Sequence, residues 1–285
     1  MKLSEIAFVN GEFIPLAEAV VSVEDRGFQF ADGVYEVIGT YGGQPYAMEA
    51  HLQRLKRCLK ELRLPLDIDA YGLRELVMEG IRRCAFAEAL VYIQVTRGVA
   101  PRRHEFPRQP PQPTVVMTFK ELQRLPVELY ERGISVISTA DLRWKRCDIK
   151  SIALLANILA KQEASEQGAF EALLVNAVGH VTEGSSTSAF CVRDGQLWTA
   201  PEGPHILPSI TRGILLDLAR QAQLPICEEF CSLGEYMQAD EVFLAGTTTE
   251  AIAVVEIDGK PVGNGHPGPI ARQLRAAFVR EVGLS

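Results

Sequence analysis

Arg143-Trp144-Lys145-Arg146-Cys147-Asp148-Ile149-Lys150-Ser151 carries the most chemical information of any stretch in this sequence. Three basic residues ahead of Asp148 have the composition of a solvated run. Lys150, however, stands between Ile149 and the apolar sequence Ile152-Ala153-Leu154-Leu155. Apolar neighbours desolvate an amine and favour its neutral form, which is the form that attacks a carbonyl to make a Schiff base. On spacing alone, an exposed lysine beside a helix start is the simpler reading, so the chemistry has to be sought in the surrounding elements.

Outward from Lys150 the pattern alternates between helix and strand. Residues 151–167 have helical spacing, with Ile152, Leu155, Ile158 and Leu159 on one face, and strands are expected at 133–138 and 172–175. Asp194-Gly195 closes a hairpin between Phe190-Cys191-Val192 and Leu197-Trp198. A helix at 211–221, strands at 241–245 and 252–257 and a last helix at 267–282 complete this side. Toward the N-terminus, Asn10-Gly11 and Gly42-Gly43 are hairpin turns, and Met48, Leu52, Leu55, Leu59 and Leu62 form an amphipathic helical stripe. Residues 71–85 repeat that pattern. Residues 90–96 alternate Val91, Ile93 and Val95 against polar neighbours, as a half-buried strand does. A proline- and arginine-rich loop at 101–113 and a strand at 114–119 follow. The expected fold is α/β of the α+β type: a smaller N-terminal domain at 1–119, a linker at 120–126 and a larger C-terminal domain at 127–285.

Composition excludes several classes. At 285 residues, 47% hydrophobic and 23% charged, the chain is an ordinary globular protein, and about 150 residues per domain suggests two domains. The net charge of −7 disfavours nucleic acid and anionic membrane surfaces. No apolar run approaches a membrane span and no export signal is present, so the protein is expected in the cytoplasm with its six cysteines reduced. Without C-x-x-C or H-E-x-x-H, no metal is expected. Cys227 and Cys231 read as small buried hydrophobes. Gly263-x-Gly265-x-x-Gly268 matches a dinucleotide fingerprint by letter but follows the turn Asp258-Gly259-Lys260-Pro261 rather than a buried strand, so it reads as a loop and helix start.

Three further clusters suit an anionic cofactor. Val181-Thr182-Glu183-Gly184-Ser185-Ser186-Thr187 places one carboxylate among hydroxyls, Ser209-Ile210-Thr211-Arg212 opens a helix whose free N–H groups can cradle phosphate, and Gly246-Thr247-Thr248-Thr249 follows a strand. Singly, each is a cap or turn. With a desolvated lysine they describe a phosphorylated cofactor that has a carbonyl for an amine and a cationic nitrogen for a carboxylate, which is pyridoxal phosphate.

The sequence resembles the D-amino-acid transaminase branch of the class IV aminotransferases over nearly its whole length. The likeness is carried by Asp25-Arg26-Gly27-Phe28-Gln29-Phe30, Asp32-Gly33-Val34-Tyr35-Glu36, His51-Leu52-x-Arg54-Leu55, Arg97-Gly98-x-x-Pro101-Arg102-x-His104, Cys147-Asp148-Ile149-Lys150-Ser151, Thr182-Glu183-Gly184-Ser185-Ser186 and Ile210-Thr211-Arg212. The resemblance implies a two-domain fold-type-IV enzyme whose C-terminal domain is a pseudo-barrel. Lys150 would hold the cofactor and relay the proton at the substrate's Cα, and Glu183 would bond the ring nitrogen. Arg54, Ile210, Thr211 and Thr247 would hold the phosphate, with Leu207 beside the ring. Tyr35, with Arg102 and His104 from the second subunit of a homodimer, would bind the substrate carboxylate. Gly246 stands where the family carries a serine, which removes one phosphate hydroxyl, and Arg103 adds positive potential between the two clamp residues.

The implied reaction moves the amino group of a D-amino acid such as D-alanine to 2-oxoglutarate by a ping-pong mechanism, giving pyruvate and D-glutamate. An aminodeoxychorismate lyase or an L-branched-chain aminotransferase of the same fold, and a non-catalytic cofactor-binding protein, are the alternatives.

Overall fold

Asn10 and Gly11 adopt φ of 48° and 115°, the left-handed geometry that a two-residue hairpin turn demands. They join β1 (Ile6–Val9) to β2 (Glu12–Pro15). The computed structural model describes residues 4–283. It divides the chain into two compact units: one runs up to Gln123 and takes in Ile149–Ala153, and the other comprises Arg124–Asp148 and the chain from Leu154 onward.

The first unit continues with α1 (Arg26–Phe30), β3 (Gly33–Tyr41), β4 (Gln44–Pro45), α2 (Met48–Glu61), α3 (Leu73–Cys84), β5 (Ala89–Thr96) and β6 (Thr114–Glu121). Its six strands form an antiparallel sheet in the order β2-β1-β6-β5-β3-β4. The alternation read at 90–96 becomes β5, with Val91, Ile93 and Val95 fully buried. They pack with Leu52, Leu55 and Leu59 of α2 and with Val77 and Ile81 of α3. Each such side chain contributes about 1.5–3 kcal/mol on leaving water.

Two boundaries differ from the sequence expectation. Lys120 and Glu121 extend β6 opposite Leu90 and Ala89 instead of starting a linker, because their backbone groups complete the ladder although both side chains are exposed. Residues 149–153, expected in the second domain, belong to the first unit because Ser151 bridges Val34 of β3.

The second unit contains α4 (Val127–Arg132), β7 (Ile134–Ala140), α5 (Leu155–Glu166), β8 (Glu171–Val175), β9 (Val181–Gly184), β10 (Ser188–Arg193), β11 (Gln196–Thr199), α6 (Ile210–Gln221), β12 (Ile226–Glu228), α7 (Leu233–Met237), β13 (Glu241–Gly246), β14 (Glu250–Ile257), β15 (Lys260–Pro261) and α8 (Pro269–Glu281). Its mixed sheet runs β12-β11-β10-β13-β14-β7-β8-β9, with β15 on β14. The β11–β12, β14–β7 and β7–β8 pairs are parallel. Val136, Leu173, Leu244, Ile252 and Val254 form its core.

The helix expected at 151–167 begins only at Leu155, since the bridge to β3 keeps the chain extended before it. Its apolar stripe is also turned outward: Leu155, Ile158 and Leu159 are 71%, 59% and 60% exposed. Ala160 and Ala164 face Ile137, Ala172 and Leu174 instead, and their small side chains let the helix lie close to the sheet. Gly268 caps α8, and the N–H groups of Ile270 and Ala271 donate to the Glu241 carboxylate at 3.0 and 2.9 Å. A side chain therefore already fills the anion place at this helix start.

Candidate active site

In the first unit, backbone bonds fix Lys150. The Tyr35 N–H donates to the Lys150 carbonyl at 3.0 Å, the Ile152 N–H to the Gly33 carbonyl at 3.1 Å, and the Lys150 N–H to Cys58 Sγ at 3.3 Å. The half-buried side chain places Nζ 4.3 Å from the centroid of the Tyr35 ring, which itself stacks on Tyr92 at 5.6 Å. Burial pushes the Tyr92 phenol up to about 12. Lys150 and Tyr35, both expected at the site, are thus brought together.

Arg54, on α2, is buried and grips Glu36 of β3 with two nitrogens, Nε to Oε2 at 2.9 Å and Nη2 to Oε1 at 2.5 Å. His51, one turn earlier, places Nδ1 3.0 Å from Glu36 Oε1. Burial alone would raise the Glu36 carboxyl, but Arg54 and His51 outweigh it and hold the group at about 2. Arg102 and His104 sit on the exposed loop between β5 and β6, grouped with each other at the ring of Phe30.

In the second unit Glu183 lies buried on β9. The Leu207 N–H stands 3.3 Å from each of its carboxylate oxygens, and Arg143 Nη1 donates to Oε1. Burial raises the Glu183 carboxyl, and the Arg143 charge opposes that rise. Arg143 is not part of a solvated run, as its neighbours in sequence suggested. Its side chain is 8% exposed, and it donates to Asp141 through Nε at 2.9 Å and Nη2 at 2.7 Å. Thr182 joins by donating to Asp141 Oδ2 at 2.7 Å. A signal for this was present: Asp141 and Arg143 are two apart, the spacing that puts side chains on one face of an extended segment.

Ile210 and Thr211 open α6, whose cap Ser209 accepts from the Arg212 N–H at 3.2 Å. The first N–H groups of a helix have no partner inside it and favour an anion. Thr247 follows β13 directly. The sequence clusters 181–187 and 246–249 each end in a threonine. Thr187 Oγ1 and Thr249 Oγ1 are buried with no hydrogen-bond partner. Buried hydroxyls are normally satisfied, so this pair fits a region built to meet a polar ligand.

The amino-transferase class IV family profile matches residues 33–257. The chain belongs to the class IV aminotransferases. It is 39% identical over 275 residues to the D-alanine aminotransferase of Staphylococcus epidermidis, covering 96% of this chain and 97% of that protein. It is 37% identical over 273 residues to that of Bacillus licheniformis, covering 96% and 95%. Among solved structures, the branched-chain amino acid aminotransferase of Escherichia coli superposes with a TM-score of 0.90 at 27% identity, over 98% of this chain and 94% of that one. A second branched-chain amino acid aminotransferase, from T.th. and solved with pyridoxamine 5'-phosphate, gives 0.90 at 28%, over 100% and 96%.

The protein is therefore an aminotransferase with the two-domain fold of this family, it works on small molecules, and its cofactor is pyridoxal phosphate. The residues present suit that group: in the first unit a half-buried amine at Lys150, and in the second a buried carboxyl at Glu183 beside Arg143, the N–H groups at the start of α6 and two unpartnered hydroxyls. Among the described residues no helix is long and apolar enough to cross a membrane.

Proposed function

We propose that this aminotransferase moves the amino group of a D-amino acid of the D-alanine type to a 2-oxo acid such as 2-oxoglutarate, yielding pyruvate and D-glutamate in two half-reactions that share one cofactor. The observation that carries this reading is Arg102-Arg103-His104 in a chain that matches D-alanine aminotransferases from end to end.

Bound pyridoxal phosphate supplies the electron sink that stabilises the carbanion left when Cα loses its proton. Lys150 provides the amine that holds the cofactor and, once released by substrate, carries the proton from Cα and returns it. Glu183, with Arg143 opposing the rise that burial imposes on its carboxyl, would accept from the ring nitrogen and keep it protonated. Arg54, the N–H groups of Ile210 and Thr211, and Thr247 hold the phosphate, and Leu207 packs beside the ring. Tyr35, Arg102 and His104 bind the substrate carboxylate, the arginine by its two-pronged fork. Fixing the carboxylate fixes which substituent of Cα meets Lys150, and with it the chirality accepted.

The working form is a homodimer with shared sites, for which the outward Leu155, Ile158 and Leu159 of α5 offer an apolar surface. Its place is the cytoplasm, which the six free cysteines suit.

The test is the absorption spectrum of the cofactor-loaded enzyme on adding D-alanine, L-alanine, L-leucine or L-glutamate without an acceptor. Conversion to the amine form of the cofactor by D-alanine alone is expected. Conversion by L-leucine instead would move the protein to the branched-chain activity, and no conversion by any of the four amino acids would overturn the transaminase reading.

A further inference from the structure

The contacts around Phe30 serve no role described above. Phe30 ends α1 and is half-buried. The guanidinium carbons of Arg26 and Arg102 each lie 4.9 Å from its ring centroid, and the His104 ring meets it edge to face at 5.6 Å. Three basic side chains therefore share one aromatic ring.

Behind that ring Arg26, 3% exposed, donates Nη1 to the Arg103 carbonyl at 2.5 Å and Nη2 to the His104 carbonyl at 3.4 Å. Its Nε goes to Asp32 Oδ2 at 2.8 Å. Arg97 holds the same carboxylate through Nε at 2.8 Å and Nη2 at 2.9 Å. Burial would raise Asp32, but Arg97 and Arg26 hold it below its ordinary range. The excursion from β5 to β6 closes at its base, where Gly98, at φ 93°, lies so near Gln112 that a Cβ would stand 2.0 Å from the Gln112 carbonyl oxygen. The loop is tied at its base and at its middle, and the two side chains that flank the middle tie lean on one ring.

An arginine on an exposed loop samples many rotamers and must give up that freedom to grip a carboxylate. We infer that Phe30, with Arg26 behind it, is a positioning residue for carboxylate recognition, holding Arg102 and His104 as one preset pair before substrate arrives. This rests on the proposed assignment of Arg102 and His104 to the substrate carboxylate.

Steady-state constants for D-alanine and 2-oxoglutarate, together with the inhibition constant of propionate, which offers a carboxylate and no reacting group, test it in the holoenzyme. Phe30→Leu deletes the ring contacts and is expected to raise both KM values and the propionate constant about three- to tenfold, with kcat lowered less than about twofold. Phe30→Tyr keeps the ring and stays within about twofold of the parent. Arg26→Lys keeps the charge toward Asp32 but loses the fork onto the two carbonyls, and it shifts the same constants in the same direction. Arg102→Ala is the reference. If it raises KM and the propionate constant while Phe30→Leu leaves both unchanged, the positioning role is overturned and the carboxylate assignment stands. If Arg102→Ala itself changes neither, the assignment falls and the inference with it. A lower kcat at unaltered KM in Phe30→Leu would mark the ring as a general prop and overturn the inference.

Discussion

Arg143 gives its Nη1 to Glu183 while its Nε and Nη2 donate to Asp141, so one buried cation serves two carboxylates. With Arg143→Gln the two acids remain buried without it, and Glu183, already raised by burial, is pushed further up. Removing one partner of a buried pair costs about 3–5 kcal/mol, and that loss is expected in urea unfolding of the cofactor-free protein at neutral pH. The sign of the pH dependence follows. A carboxyl raised in the folded state holds its proton better there than in the unfolded chain, so the variant recovers stability as pH falls through the folded value. Equal stability of variant and parent at pH 7 would remove Arg143 from the support of Glu183.

Glu36 and Arg54 give the opposite dependence. Glu36 is held at about 2 against an ordinary value of 4.5, so its contribution is fully present above pH 4.5 and is lost as pH falls toward 2. The difference corresponds to about 3 kcal/mol. An acid titration of stability is expected to show a step of that order in the parent. In Glu36→Gln the step is absent and the pH 7 stability is already lower. A variant with an unaltered acid profile would contradict the pairing.

Lys150→Ala is expected to abolish multiple turnover, by at least about a thousandfold, and to leave the fold in place. The segment is held by the backbone bonds at Tyr35, Cys58 and Gly33, whereas the side chain adds only a contact with the Tyr35 ring, worth about 1 kcal/mol or less. Turnover by the variant at the parental rate would end the assignment. A collapsed far-ultraviolet circular dichroism spectrum would show that the side chain holds more than it touches.

The elements that the sequence made legible are those whose signal is local. The Asn10-Gly11 turn, the stripe of α2 and the alternation of β5 each lie within one short window, and each formed as its pattern implied. Arg143 was read by its basic neighbours, whereas its partner Glu183 is 40 residues away. Glu36 and Arg54 are 18 apart and meet only once α2 lies on β3. The inward face of α5 is hidden from the sequence for a related reason. Spacing identified an apolar stripe at Leu155, Ile158 and Leu159, but an equally regular pair, Ala160 and Ala164, fits closer to the sheet, and small residues carry little weight in a hydrophobicity pattern. The tie from Arg26 to the Arg103 carbonyl spans 77 residues and involves a backbone acceptor, which no side-chain motif encodes.

Gly246 departs from the serine expected at this place, and the structure supplies a physical reason for glycine. A Cβ built there would meet Thr249 Oγ1 at 2.8 Å and Thr187 Cγ2 at 3.6 Å, crowding one of the two buried hydroxyls that lack partners. Gly246→Ser is therefore expected to cost about 1 kcal/mol or more in the cofactor-free protein, the usual penalty of added volume in a packed site. Adding Thr249→Ala removes the crowded oxygen, and the double variant is expected to recover most of the stability lost by Gly246→Ser, a coupling that neighbouring side chains show and distant ones do not. Strict additivity of the two substitutions would mean that residue 246 does not press on Thr249, and the glycine would then need another cause.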